Sequence, residues 1–335
     1  MLDYFANFPK LLEHYIRSSI PNFKTILRPS SQKPSAAFLI TRERTALFIK
    51  ANHKPKYYNT RLEQIEGAPT FQTTQQAIAP HTRLGATSFN NSIQKRLDLN
   101  QNNAITFVLD DPKTILYHYA TTSEVTTPEE LEERLRTNPV KIISGWNDYQ
   151  SNNQYIWEIL TPNLTQIKGD APLPESVLIC GYPEAAGANL AQWCDSQNIQ
   201  LTNIISLTTA ILFWARTHGP TSGYLLIIIT NTDHATIYIK GTEIIGARIS
   251  PSKDHFHTEH IAQVDDLIEE NHIEKSIPIW TFNFPTTGLE YSKLIAKYPN
   301  TKTLDTRTLA NITPIDFPDE IIPESELWIL HHLLG

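Results

Sequence analysis

One stretch of the chain has the form of a phosphate-binding hairpin: LLIIITNTDHATIYIKG, residues 225–241. An apolar run enters a polar tip, and a second, alternating strand leaves the tip and ends at Gly241. Tight phosphate loops place glycine where backbone N–H groups must approach the ligand. The tip, residues 230–234, has no glycine. This stretch alone is therefore compatible with a working nucleotide loop, a loop that has lost its ligand, or an ordinary hairpin.

Three histidines, His255, His257 and His260, stand close together with Asp254 and Glu259 beside them. Imidazole and carboxylate groups are common ligands of zinc, but a metal site needs three or more of them in a fixed geometry. On a helix His257 and His260 share one face, and His255 does not lie squarely with them. We therefore predict the solvated start of a helix here, with a metal site as the alternative.

The two cysteines are predicted to be small core residues. Cys180 ends an apolar strand, and Cys194 lies on the apolar side of the helix that follows. Free cysteine is usually buried and inert. A reactive role for Cys180 is the alternative, since a helix begins shortly after it and a helix N-terminus favours the thiolate.

Asp110 and Asp111 follow a short apolar strand and could form a pair of catalytic carboxylates. Neighbouring residues in extended backbone point to opposite faces, so adjacent acids pair poorly for acid–base chemistry. Because Pro112 comes next, a turn is the preferred interpretation.

Composition limits the classes of function. The chain has 335 residues, a net charge of −7 and no basic run, which argues against a nucleic-acid partner. Only 12 residues are glycine, and the motifs GxGxxG, GxxxxGK[ST], GxSxG and HExxH are all absent. The first twenty residues have no apolar core of a secretory signal, so we expect a reduced, cytosolic chain.

Apolar periodicity predicts two α/β lobes. Residues 1–34 indicate an N-terminal helical extension and linker, 35–217 a first lobe, 218–320 a second lobe, and 321–335 a closing helix. Both lobes repeat one order, a strand meander followed by helix, strand, helix and strand. Such a duplication predicts mixed sheets flanked by helices, with a ligand cleft between the lobes.

The clearest local signal is TTPEELEERLRTNP. Thr127 can cap a helix, Pro128 suits its first position, and Glu130 can complete a capping box. We expect strands after it at 140–149 and 154–160.

The order of these segments resembles the actin-like superfamily, and within it the PilM and GspL-type proteins of type IV pilus and type II secretion assembly. The resemblance extends over about residues 36–310. It rests on AITFVLD followed by TPEELEERLR, on SVLICGYPEAAGANLAQWC, on the hairpin described above, and on IPIWTFNFPTTG. It implies a bilobed, duplicated ribonuclease H-like fold with a small subdomain inserted at about 104–165. It also aligns Thr236, Gly241 and Arg248 with the second phosphate hairpin of the superfamily.

This sequence departs from the nucleotide-binding members at the loops that meet phosphate and adenosine. Where such members carry Asp-x-Gly or Gly-Gly, the chain has side chains in place of glycines and lacks the acids that hold metal. The degenerate positions are Thr41, Arg42, Asn231, Thr232, Asp233, Thr236, Asn283 and Phe284. We therefore expect no cofactor and no catalytic residue, with ATP binding lost. A diverged nucleotide-binding member of the superfamily is the alternative.

The resemblance implies a non-catalytic scaffold at the cytoplasmic face of the inner membrane. Its expected partners are an inner-membrane assembly protein, PilN-like or GspM-like, and the assembly ATPase, and a homodimer is a further option. In the family the inserted subdomain and the groove beside it receive a partner. Here that region contains four aromatic residues that could anchor a peptide, Trp146, Tyr149, Tyr155 and Trp157. The alternative is that they form the core of the subdomain.

Overall fold

The computed structural model of the chain describes residues 36–41, 44–50, 55–61, 104–111, 113–144, 146, 154–196, 199–230, 233–251, 259–283 and 292–304. The predicted extension at 1–34 and the closing helix at 321–335 lie outside these residues. No helix among the described residues is long and apolar enough to cross a membrane.

The described strands follow the apolar runs of the sequence. In chain order they are β1 (Ala36–Ile40), β2 (Arg44–Lys50), β3 (Pro55–Arg61), β4 (Ala104–Leu109), β5 (Ile115–Ala120), β6 (Tyr155–Leu160), β7 (Ser176–Pro183), β8 (Gln200–Ser206), β9 (Tyr224–Ile229), β10 (Asp233–Lys240), β11 (Glu243–Pro251), β12 (Ile279–Asn283) and β13 (Thr301–Thr303). The described α-helices are α1 (Pro128–Thr137), α2 (Glu184–Ser196), α3 (Leu207–His218), α4 (Glu259–Glu270) and α5 (Ser292–Lys297).

Two five-stranded sheets have the same plan. The first has the order β3-β2-β1-β4-β8, and the second has the order β11-β10-β9-β12-β13. In each sheet three strands form an antiparallel meander. Two further strands extend the sheet in parallel beside the first strand of that meander. Helices precede β8, β12 and β13, in keeping with the crossover connections that parallel pairing requires. The repeated order of the strands that the sequence predicts is confirmed, while the segment between β3 and β4 lies outside the described residues.

A third, three-stranded sheet is inserted between β4 and β8 of the first sheet, with the order β5-β7-β6. Its extent differs from the predicted 104–165. Residues 104–109 belong to the large sheet, where they are buried on both faces as a central parallel strand is. Residues 176–183 belong to the small sheet, between its two edge strands.

Helix α1 forms as its capping signal predicts. The Thr127 hydroxyl accepts a hydrogen bond from the Glu130 backbone N–H at 3.3 Å, and the Glu130 carboxylate accepts one from the Thr126 N–H at 2.9 Å. The Glu130 carboxylate therefore binds the N–H of Thr126, one residue before the cap residue Thr127 whose N–H a standard capping box would use. The prediction of a strand at 140–149 is wrong for the part of this segment that the structure describes. Pro139–Lys141 is a 3₁₀ turn followed by irregular backbone, because the buried apolar residues here pack under α1 without a partner strand.

Helix α3 lies between the two large sheets. A single core cluster joins Leu39 of β1, Trp214 of α3 and Leu226 of β9. From Leu207 to Ala215, Phe213 alone is not buried. A helix that is apolar on nearly all sides is typical of this central position. The outer face of the first sheet is covered by α2, and that of the second by α4 and α5.

Candidate functional site

The carboxyl ends of three parallel strands meet at one edge of the first sheet. Ile40, Leu109 and Ser206 form a single cross-strand row. The residues that follow two of them, Thr41 and Asp110, are both buried. The Asp110 N–H donates a hydrogen bond to the Ile40 carbonyl at 2.9 Å, and this bond joins the carboxyl ends of β1 and β4. This is the edge where α/β folds of this kind bind ligands.

The second acid at this edge, Asp111, is held in a turn. Asp111 uses one carboxylate oxygen to accept a hydrogen bond from the Lys113 N–H at 2.9 Å. Its carbonyl accepts from both the N–H and the hydroxyl of Thr114, at 2.8 and 2.7 Å. Asp111 therefore builds a turn, as the sequence interpretation predicts.

The N-terminus of α3 begins at the same edge and is capped internally. The Ser206 hydroxyl accepts from the Thr209 N–H at 3.1 Å and shares a further hydrogen bond with the Thr209 hydroxyl at 2.8 Å. Both side chains are buried. A helix N-terminus binds anions through its unpaired N–H groups, and here one of these donors is already occupied.

The corresponding edge of the second sheet contains the open end of the β9–β10 hairpin. Ile229 lies opposite His234 of β10 and beside Asn283 at the end of β12. Thr230 and His234 are buried, with 2% and 1% of their surface exposed. Arg42, Asn231, Thr232 and Phe284 lie outside the described residues.

Two polar residues of the hairpin take part in internal structure. The Thr236 hydroxyl is fully buried and donates to the Gln263 side chain of α4 at 3.0 Å. Asp233 is the first residue of β10, where its backbone lies opposite Pro251 at the end of β11. The described parts of both edges therefore carry packed side chains, while the tips of the two hairpins, at residues 42–43 and 231–232, lie outside the described residues.

The aromatic residues predicted as peptide anchors lie in the core of the small subdomain. The rings of Trp146, Tyr155 and Trp157 pack on one another with centroids 5.1–5.8 Å apart. All three are buried, and Trp157 fills the space that a side chain at Gly181 would need. Tyr149 lies outside the described residues. The structure favours the alternative interpretation for these three residues, because side chains buried in this way offer no surface to a partner.

The opposite face of the small sheet bears polar groups that the sequence analysis did not single out. Glu158 of β6 lies directly across from Cys180 of β7, and Ile156 lies across from Tyr182. Burial raises the pKa of the Glu158 carboxyl to about 7, while the positive charge of Lys168 acts in the opposite direction. Burial, and then the charge of Glu158, raises the pKa of the Tyr182 phenol well above its usual range. The sequence signal that could have identified Glu158 is an acidic residue at an alternating position within the strand YIWEIL.

The small sheet also interacts electrostatically with the second lobe. Burial, followed by the positive charge of Arg248 on β11, lowers the pKa of His118 on β5. Arg248 also forms an ion pair with Glu270 of α4. Arg248 is the strand-ending arginine of the sequence resemblance, and the structure gives it a role between β11, α4 and the inserted sheet.

The remaining candidate residues divide as follows. Cys194 is buried in the core, where burial raises the pKa of its thiol, while Cys180 is partly exposed. Neither cysteine forms a disulfide within the described residues, and the Cys180 sulfur lies 3.8 Å from the Thr209 hydroxyl of α3. His255 and His257 lie outside the described residues, and the backbone of His260 is in the first turn of α4. Within the described ranges, no group of three or more His, Cys, Asp or Glu side chains could hold a metal ion.

Comparison with solved structures identifies proteins of similar fold. No family model and no curated protein matches the sequence. A chain of a solved PilM–PilN type IV pilus biogenesis complex is 12% identical, with a TM-score of 0.52 over 90% of this chain and 97% of that chain. A Bacteroides thetaiotaomicron protein of actin-like ATPase fold and unknown function is 9% identical, with a TM-score of 0.47 over 85% and 94% of the two chains. The cytoplasmic domain of EpsL, an inner-membrane component of the type II secretion system of Vibrio cholerae, is 9% identical, with a TM-score of 0.43 over 89% and 94%. The duplicated sheets and the likeness to the first of these confirm the actin-like fold that the sequence resemblance implies.

Proposed function

We propose that this actin-like chain is a non-catalytic scaffold of a type IV pilus or type II secretion assembly platform. In this proposal it lies at the cytoplasmic face of the inner membrane and binds the cytoplasmic segment of a membrane-anchored assembly protein, PilN-like or GspM-like. The assembly ATPase is its second partner and supplies the ATP chemistry of the machine.

The observation that carries the proposal is the packing of the two sheet edges. Thr41 and Asp110 are buried at the edge of the first sheet, and Thr230 and His234 are buried at the edge of the second. Packed side chains beside these loops agree with the loss of the glycines that let backbone N–H groups approach a phosphate. The chain thus retains two lobes and an inserted subdomain while its nucleotide loops have lost glycine, which favours binding over catalysis.

The fold likeness supports the identity of the partner class. The matched chain of the PilM–PilN complex is covered over 97% of its length, so the likeness extends over nearly the whole of that chain. Fold alone does not fix function. The proposal therefore depends on a direct test of what the chain binds.

The test is affinity isolation of the tagged full chain from detergent-solubilised membranes of its native cell, followed by identification of the bound proteins. We expect a single-span membrane protein with a short cytoplasmic segment. The purified segment should then bind the chain equally well with and without ATP and magnesium. Recovery of soluble enzymes alone, or binding that requires ATP, would contradict the proposal.

A further inference from the structure

The turn that follows β6, residues 161–165, extends from the inserted sheet to the second lobe. Hydrogen bonds within the turn keep it compact. The Thr161 N–H donates to the Thr165 carbonyl at 2.9 Å, and the Thr161 carbonyl accepts from the Leu164 N–H at 2.8 Å. The Thr161 hydroxyl accepts from the Thr165 N–H at 3.1 Å. The turn thereby presents Pro162 and Asn163 to the second lobe.

Backbone and side-chain hydrogen bonds attach this turn to the start of β11. The Ile244 N–H donates to the Pro162 carbonyl at 3.0 Å. The Asn163 side chain donates to the Glu243 carboxylate at 3.2 Å and accepts from the Thr242 hydroxyl at 3.4 Å. The two side-chain bonds are long and exposed to solvent, so each adds little to stability.

The same turn is attached to α3, the helix between the two large sheets. The Arg216 guanidinium donates to the Asn163 carbonyl and lies 5.9 Å from the centre of the Phe213 ring. Leu164 is 6% exposed and belongs to the core cluster that joins the two large sheets through α3. The turn therefore contacts both the central helix and the second lobe.

The backbone on both sides of this contact has a left-handed residue. Leu164 has a φ of 56°, which is uncommon for a residue other than glycine and persists only where the surroundings hold it. The facing turn passes through Gly241, with a φ of 62°, whose N–H donates to the Thr221 carbonyl at 3.2 Å in the segment between α3 and β9. Strained residues and small hinge residues are typical of segments that change conformation.

We propose that residues 161–165 form a latch that closes the inserted sheet onto the second lobe and opens while the sheets stay folded. In the open state the turn withdraws from β11 and from Arg216, the Ile244 N–H becomes free, and Leu164 returns to ordinary backbone. Weak polar bonds and a strained leucine offset the burial of the leucine side chain, so the two states exchange. A partner that binds only one state would shift this equilibrium. The latch does not depend on the proposed scaffold function.

Hydrogen exchange of the Ile244 amide tests the latch in the full chain, with mass spectrometry at the resolution of single amides. Opening of the latch exposes little surface, so this amide should exchange at a rate that stays constant in low concentrations of urea. β9 is the central strand of the same sheet. After correction for intrinsic rates, its amides should exchange roughly 100-fold more slowly and should accelerate with urea.

Arg216→Gln separates opening of the latch from simple fraying of β11. Among the described residues, the hydrogen bonds and ring contacts of Arg216 involve the turn and Phe213 and not β11. Its replacement should nevertheless raise the exchange rate of the Ile244 amide by roughly tenfold. The matched control is Arg136→Gln, which breaks an ion pair on α1 and should change that rate by less than about twofold.

Asn163→Ala removes both side-chain bonds of the turn and should raise the same exchange rate by roughly tenfold. Its matched control is Asn138→Ala, an exposed asparagine at the end of α1, for which we expect less than about a twofold change.

A reversible cross-link tests the closed state. Asn163→Cys with Thr242→Cys places thiols on two side chains whose oxygen atoms lie 3.4 Å apart. Oxidised glutathione joins them in a disulfide and is itself reduced, dithiothreitol reverses the reaction, and peptide mapping verifies the pairing. The cross-linked chain should exchange the Ile244 amide as slowly as those of β9, and reduction should restore the fast, urea-independent exchange.

Exchange of the Ile244 amide only together with the amides of β9 would overturn the latch. So would a rate that Arg216→Gln leaves unchanged, or that the cross-link does not slow, or failure of the two thiols to form the cross-link. The measurement uses the chain alone, so each of these results leaves the scaffold function to its own test by isolation of membrane partners.

Discussion

His234 lies directly opposite Ile229 at the open end of the β9–β10 hairpin, and its side chain is 1% exposed. A hairpin that held a phosphate would leave this position open to its ligand. Here an imidazole is packed into the edge of the sheet, next to the equally buried Thr230. The sequence of the hairpin suggests a phosphate loop, while its described residues contribute to the core.

Replacement of His234 by alanine should therefore destabilise the chain. Removing a fully packed side chain leaves a cavity and should lower the free energy of unfolding by about 1–3 kcal/mol. Urea denaturation followed by circular dichroism measures this. The control is Lys240→Ala at the exposed end of the same strand, expected to change stability by less than about 0.5 kcal/mol. A neutral or stabilising His234→Ala would indicate an open ligand site.

Truncation of Trp157 should be strongly destabilising, because its ring packs against Trp146 and Tyr155 and over Gly181. We expect Trp157→Ala to cost about 3–5 kcal/mol. The matched control is Val140→Ala, since Val140 is apolar but 54% exposed, and it should cost less than about 0.5 kcal/mol. If Trp157→Ala instead kept full stability and lost partner binding, the earlier interpretation of this residue as a surface anchor would be restored.

His118 should make the chain less stable in mild acid. Its folded-state pKa is lowered by burial and by Arg248, so the unfolded chain takes up the proton at a higher pH than the folded chain. The stability that neutral His118 contributes is complete above pH 6.5 and is lost as the pH falls below that value. His118→Gln should flatten the dependence of the urea midpoint on pH between 7 and 5.

Arg248→Gln provides a graded comparison for this effect. It removes the second cause of the lowered pKa and keeps the first, so the acid-linked loss should be intermediate between those of the parent and His118→Gln. An unchanged pH profile in both variants would show that His118 is not buried beside Arg248.

Glu158→Gln should stabilise the chain without its partner at alkaline pH. A carboxyl whose folded pKa is raised from 4.5 to about 7 imposes no penalty below pH 4.5 and an increasing one as the pH rises toward 7. The variant should exceed the parent by on the order of 1–3 kcal/mol at pH 8, with the difference disappearing near pH 4.5. Urea denaturation at both pH values measures the difference, and Glu133→Gln should show less than about 0.5 kcal/mol at either pH. A parent chain more stable than Glu158→Gln at pH 8 would mean that the carboxylate already has a partner.

Much of the architecture could be predicted from local patterns. The alternation of apolar runs with helical periodicity predicts the repeated order of the two lobes, and the Thr127, Pro128 and Glu130 signal predicts α1. Patterns of this kind are local, so they hold wherever propensity, capping and burial agree.

Other features depend on packing between distant segments. The run at 176–183 is apolar on both faces, so its pattern suits either sheet, and only pairing with β5 and β6 assigns it to the small one. Alternation in YIWEIL separates two faces but does not show which one is buried. For that reason the sequence is compatible with either a surface or a core position for Tyr155 and Trp157, and it does not single out Glu158 on the other face.

The most direct test of the central claim is titration calorimetry of the full chain with ATP and magnesium. The account predicts no saturable heat at ATP concentrations up to about 1 mM, because buried side chains occupy both sheet edges where phosphate would be held. Saturable binding of ATP at micromolar affinity would contradict it, and would identify the chain as a nucleotide-dependent protein with diverged loops.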